Sequence, residues 1–169
     1  QTPTIASFEP VPSSALYRPP VMASGLLGAY YRSPNWSEPV AFMQVDPEIN
    51  IYFHNIPLPR PYSIEWKGKL YAPVGGRYRF ATESVDNSHV YIDNQLVVDN
   101  PRGSTVVEGA AQLAEGWHDL TIRYADKTGY SRIYFYWAPP NGPREIVPSR
   151  YLSPPQGRYP TAKELAAIP

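Results

Sequence analysis

Cysteine is absent from all 169 residues, so neither a disulfide framework nor a thiolate metal site can be built. Long apolar runs are absent too, and the stretch Ile133 to Ala138 falls far short of the ~20 residues a bilayer-crossing helix needs. Direct membrane insertion is excluded on that ground. No charged-then-apolar leader opens the chain, which starts at Gln1 rather than Met; the expectation is a mature or excised segment whose targeting information lies elsewhere. An excess of one charge is missing as well. The 15 basic and 15 acidic residues cancel, and without a run of Lys and Arg there is no electrostatic footprint for phosphates, which argues against nucleic acid and anionic membrane as partners.

Catalytic signatures are equally scarce. His54, His89 and His118 lie in separate segments, and the sequence contains no GxSxG, no HExxH and no Gly-rich phosphate loop before a helix. Glu83, Asp86 and Asp93 are close enough in sequence to pair as a glycosidase requires, but acidic residues this close arise readily by chance. A non-catalytic chain is expected, with any chemistry, such as that of a glycosidase or glycosyltransferase, belonging to a neighbouring domain of a parent protein.

What the chain does contain is aromatic side chains, 14% of the total with 14 tyrosines, and 21 prolines. Large flat side chains suit packed sheet faces. The prolines are uneven: Pro3, Pro10, Pro12, Pro19 and Pro20 sit among Ser and Thr in residues 1–24, a composition for extended backbone and hence a linker or strap. From Gly25 onward, short aromatic and β-branched runs alternate with Gly, Pro, Asn and Asp. Strands are predicted at Leu27 to Arg32, Tyr62 to Gly68, Arg77 to Thr82, Val106 to Leu113, Trp117 to Tyr124 and Ser131 to Trp137. His89 to Asp93 and Gln95 to Asp99 form a hairpin about Asn94, a residue that tolerates positive φ. Strands at this spacing make an all-β antiparallel sandwich or barrel-like domain over residues 25–152, with Tyr78, Phe80, Ile92 and Ile122 in one interior. Residues 153–169 read as a tail with a short helix at Ala162 to Ala167. Trp66, Trp117 and Trp137 are read as core residues of alternating strands. Trp36, in the loop Ser33 to Ser37, is the candidate exposed aromatic.

The order of GLLGAYY (Gly25 to Tyr31), IEWKGKLYAPVGGRYRFATES (Ile64 to Ser84), VDNSHVYIDNQLVVDN (Val85 to Asn100) and LAEGWHDLTIRYADKTGYSRIYFYW (Leu113 to Trp137) resembles the domain family named after the N-terminal region of anthrax protective antigen. That resemblance covers about Gly25 to Leu152. It implies a β-sandwich found as an insert or appendage in adhesins, glycosidases, glycosyltransferases and toxins, and an extracytoplasmic location. In yeast adhesins of the family two consecutive aspartates bind calcium, through which sugar binds; the corresponding pair here is Val85-Asp86. One carboxylate is replaced by an apolar side chain.

Two functions follow as alternatives. One is a lectin-like accessory module binding a cell-surface or wall glycan through Trp36, Asp86, Asn87, Ser88 and Asn94, with Asp86 a candidate ligand of Ca²⁺, a cation that takes oxygen ligands from loop tips. The other is a structural or protein-interaction domain with no small-molecule ligand, whose partner is a neighbouring domain of the same polypeptide and in which Asp86, Asn87 and Ser88 merely cap a turn.

Overall fold

A computed structural model describes residues 24–103 and 105–155. The expected N-terminal strap, apart from Ser24, and the expected C-terminal helix lie outside the described residues. The chain folds into strands β1 (Leu26–Tyr31), β2 (Val40–Asp46), β3 (Asn50–Phe53), β4 (Tyr62–Ala72), β5 (Gly76–Ser84), β6 (Ser88–Ile92), β7 (Gln95–Asn100), β8 (Val106–Leu113), β9 (Gly116–Asp126), β10 (Ser131–Ala138), β11 (Glu145–Ile146) and β12 (Leu152–Ser153). A single 3₁₀ turn, Ser149–Tyr151, is the only helical element among them. The larger sheet has the order β2-β1-β4-β9-β6-β7 with β12 beside β4; the smaller has the order β11-β10-β5-β8 with β3 beside β10. Every pairing is antiparallel, and the result is the expected two-layer sandwich.

Strand alternation builds the core. β4 and β9 pair without interruption from Tyr62↔Asp126 to Ala72↔Gly116. Because successive side chains point to opposite faces, Tyr62, Ile64, Trp66 and Leu70 turn inward alongside Leu120, Ile122 and Tyr124. From the smaller sheet Tyr78, Phe80, Phe135 and Trp137 meet them, with Phe80 and Phe135 stacked at 6.1 Å between centroids. Tyr78, Phe80, Ile92 and Ile122 do share this interior. Trp66 and Trp137 are buried as expected, whereas Trp117 is 52% exposed. That corrects its reading as a core residue: Trp117 occupies the outward row with Asp119, Thr121 and Arg123, because Leu120, Ile122 and Tyr124 claim the inward one.

Strands β2 and β3 were not expected. Val40-Ala41-Phe42-Met43-Gln44-Val45 lacks alternation, and β2 is an edge strand with Phe42, Met43 and Val45 exposed, so only one flank of it is packed. Its last residue, Asp46, is nevertheless buried. Asp46 accepts hydrogen bonds from Tyr30 Oη (2.8 Å), Trp66 Nε1 (2.6 Å) and Gln44 Nε2 (2.8 Å), which offsets the cost of withdrawing a carboxylate from water. Gly28 makes this possible, since a Cβ there would lie 2.9 Å from Trp66 Nε1.

At one side of the sandwich β7 and β8, one from each sheet, run against each other. Gly109 permits the approach: a Cβ at that position would collide with the backbone carbonyl of Val97. Gly109→Ala is expected to destabilise the protein by about 2 kcal/mol or more, the scale of overpacking a closed contact, in denaturant unfolding. Gly75→Ala, where a Cβ meets nothing closer than 3.6 Å, is the control for the loss of a glycine as such.

Candidate functional site

Three regions hold the predicted residues. At one end of the larger sheet, Asp86 has φ 63° and reaches across to the loop after β9. Its Oδ2 accepts the backbone N–H groups of Lys127 (2.7 Å) and Thr128 (2.8 Å), and its Oδ1 accepts the Thr128 hydroxyl at 3.3 Å. Gly103 packs on the Asp86 backbone, leaving no room for a Cβ. Ser88 is fully buried, bonded to Ser84 Oγ (2.8 Å) and Thr82 Oγ1 (2.9 Å). Its expected place among ligand-contacting residues is corrected: the serine points inward as the first inward residue of β6. Asn87 is half-buried; its carbonyl accepts from Ala125 N–H at 3.0 Å, and its Oδ1 is buried with no partner among the described residues. Beside this corner a concavity of about 520 Å³ is bordered by Tyr52, His54, Arg60 and Tyr130, with Tyr52 and Tyr130 exposed. Arg60 is committed to buried Asp126 at 2.9 Å.

Trp36 lies over the outer face of the same sheet. Sequence reasoning expected a free aromatic ring, but its indole N–H is shared between the carbonyls of Ile64 (3.0 Å) and Tyr124 (3.2 Å), and its backbone N–H donates to Ser63 Oγ. The Arg123 guanidinium stacks 5.3 Å from the ring centroid, and His89 meets the ring edge-on at 5.9 Å. Trp36 is thus half-buried and spent, a correction whose cause is tertiary: the acceptors that hold it come from β4 and β9. Arg123 also donates to Glu65 (2.6 Å), which Lys67 flanks at 2.8 Å. Burial opposes the Glu65 charge, but these two cations hold its carboxyl below the usual range.

Asn94 is at the other end of the sheet. Asp93 and Asn94 form a two-residue turn with φ 48° and 63°, the hairpin geometry that suits such residues. Asp93 ties this turn to β9, accepting from Asp119 N–H (2.9 Å) and bonding His118 Nδ1 (2.7 Å), while His118 Nε2 faces the Ala114 carbonyl at 2.8 Å. Next to it opens a groove of about 660 Å³ along the outer face, lined by Lys67, Lys69, Asn94, Trp117, Asp119 and Thr121, with Ser153 and Pro155 at its rim. The Trp117 ring leans on Tyr71 at 5.1 Å, and Lys69 pairs with Asp119 at 2.6 Å. The two ends are far apart: the eight residue steps of β9 and its following loop from Asp119 to Lys127 span ~26 Å at strand rise. Asp86, Asn87 and Ser88 come together, with Trp36 nearby on the outer face over His89 and Tyr124; Asn94 does not join them. Trp117, Lys69 and Asp119, which line this groove, are not among the candidate residues read from the sequence, although Trp117 is legible there as a member of an otherwise polar row.

The sequence model of the PA14 domain matches residues 22–151. The chain belongs to the PA14 domain family. The anti-sigma-I factor RsgI3 of Acetivibrio thermocellus is 26% identical over 145 residues, 81% of this chain but 22% of that protein; the PA14 domain here thus spans about a fifth of this curated relative. A solved anti-sigma factor domain-containing protein is similar with a TM-score of 0.74 and 26% identity, covering 87% of this chain and 55% of that one. A PA14 sugar-binding domain from an RTX adhesin aligns with a TM-score of 0.65 at 16% identity, over 79% of this chain and 99% of that domain. Among the described residues no helix is long and apolar enough to cross a membrane.

The calcium centre implied by the family resemblance does not fit the residues of this PA14 domain. Asp86 already accepts three hydrogen bonds, Val85 contributes no side-chain oxygen, and Asn87 Oδ1 is the one unengaged side-chain oxygen beside them, far short of the six to eight oxygens that Ca²⁺ takes. No group of three or more His, Cys, Asp or Glu suited to a metal occurs among the described residues. Calcium is therefore expected to give no heat in calorimetric titration, and Asp86→Ala to cost about 1–2 kcal/mol of stability by freeing the 127–128 loop. A calcium heat that disappears in Asp86→Ala would reverse that assignment. His118 supplies a second expectation. Burial disfavours its charged form, but the Ala114 carbonyl and the Asp93 carboxylate outweigh burial and raise its pKa above 6.5. With the folded value above the unfolded one, this contact stabilises fully below about pH 6.5 and is lost as pH rises through the folded value. Unfolding free energies from about pH 5 to about pH 9 should fall with pH in the native chain and lose that component in His118→Gln.

Proposed function

We propose that this PA14 domain is a non-catalytic accessory module that binds carbohydrate for a larger extracytoplasmic protein. The observation that carries this reading is an exposed aromatic ring set among hydrogen-bonding polar groups on a rigid strand pairing: Trp117 of β9 is more than half exposed, beside Lys69, Asp119 and Asn94. Sugars present apolar ring faces and rows of hydroxyls, so an aromatic plate beside donors and acceptors complements them. The similarity to a sugar-binding PA14 domain of an adhesin supports the class of ligand.

The acidic residues do not favour catalysis. Glu83 pairs with Arg132 at 2.9 Å, Asp86 caps the 127–128 loop and Asp93 holds His118, so the three carboxylates that sequence proximity suggested as a glycosidase pair are separately engaged.

A second reading, a protein-interaction module, is favoured by one observation. Edge strand β2 exposes Phe42, Met43 and Val45 together, and unpaired edges with apolar side chains invite pairing with another chain or a neighbouring domain. Screening the whole chain on a glycan array, with and without calcium, separates the two. Binding of neutral glycans that is indifferent to calcium is expected; no binder down to about millimolar affinity, a binding free energy of only about −4 kcal/mol, would leave the protein-interaction reading in its place.

A further inference from the structure

Four tryptophans occur in the chain, and three are accounted for by the fold. Trp66 and Trp137 are in the core, and the indole N–H of Trp36 is bound to two strand carbonyls. Trp117 alone is left half exposed, at the start of the longest strand pairing, with Tyr71 supporting it from the neighbouring strand. Leaving an indole in water forgoes the burial worth about 25 cal/mol per Å², and fold stability gains nothing visible from it.

The surroundings of Trp117 describe a ligand. Lys69 and Asp119 form a tight pair, yet both side chains remain substantially exposed, 43% and 60%. A Lys ammonium has three donors and a carboxylate about four acceptor sites, so one contact leaves both with unused capacity facing the groove. Asn94 adds an amide, an acceptor and donor together, at a turn whose positive φ fixes its position. Lys69 is matched by Asp119, Glu65 is shared between Lys67 and Arg123, and Asp93 adds a carboxylate at the turn, so three cations stand against three carboxylates on this face. A polyanion or polycation would meet no net field there. A neutral, polyhydroxylated molecule with one apolar face meets every feature. The volume, about 660 Å³, falls among small-ligand sites, roughly 300–1,000 Å³, and its floor is strand rather than loop, which holds side chains in register without a ligand.

The geometry points to this groove, with Trp117 as stacking platform and Lys69, Asp119 and Asn94 as hydroxyl partners, as the seat of a neutral oligosaccharide, at the opposite end of the sheet from the Asp86 corner. The assignment rests on the carbohydrate reading above and adds to it the location, the neutrality of the sugar and independence from metal.

The test is isothermal calorimetry on the full chain with neutral gluco-, galacto-, manno- and xylo-oligosaccharides. Trp117→Ala should weaken binding by about tenfold or more, about 1.4 kcal/mol, and Trp117→Tyr should retain most of it. Asn94→Gly, which keeps the positive-φ turn while removing the amide, should weaken it several-fold, and Tyr130→Ala at the far corner should leave it unchanged. Trp117 is exposed, so an unaltered unfolding transition will establish that these variants fold. Loss of binding in Tyr130→Ala with Trp117→Ala unaffected overturns the groove while the carbohydrate reading stands. No binding by the native chain to any of the sugars, here or on the array, overturns both. A native dimer in sedimentation that Trp117→Ala dissociates assigns the groove to a second copy of the chain and overturns the inference.

Discussion

The pairing of β4 with β9 is the constraint from which the rest of the molecule follows. Eleven consecutive residue pairs, from Tyr62↔Asp126 to Ala72↔Gly116, form the centre of the larger sheet, and pleating sends each row to one face only. The inward row brings Trp66, Ile64, Ile122 and Tyr124 against the aromatic face of the smaller sheet. The outward row is then obliged to carry Lys69, Asp119, Glu65, Arg123 and Trp117. Core and surface are two sides of one register, and a slip by a single residue would exchange them.

Two buried carboxylates are satisfied by neighbours rather than by solvent. Asp46 takes three donors, two of them aromatic side chains of the core, and Asp126 is bound by Arg60 and Ser131. The same logic governs the corner at Asp86. Asp86 acts as a cap for the loop after β9.

At family level the fold carries little information about ligand. The PA14 domain is matched by portions of anti-sigma factor proteins and by a whole adhesin domain alike, so the outward rows and loop corners must distinguish them. In this chain those rows are neutral in sum and rich in aromatic rings, and they sit on strands whose inner faces lock their position.

Much of this could be read from the chain itself. Alternation located β1, β4 to β10 and the Asp93-Asn94 turn to within a few residues, because half-buried antiparallel strands write their two environments into successive side chains. β2 and β3 left no such trace, being an edge strand packed on one flank and a four-residue strand. The site was less legible. Asp86, Asn87 and Ser88 were recognisable as a cluster, but not that Asp86 would be engaged by Lys127 and Thr128 or that Ser88 would face the core. Trp36 and Trp117 exchanged their expected roles. Sequence periodicity decides which face of a strand a residue occupies; only the tertiary structure decides what lies over that face, because the groups that cover Trp36 and leave Trp117 bare come from strands distant in the chain.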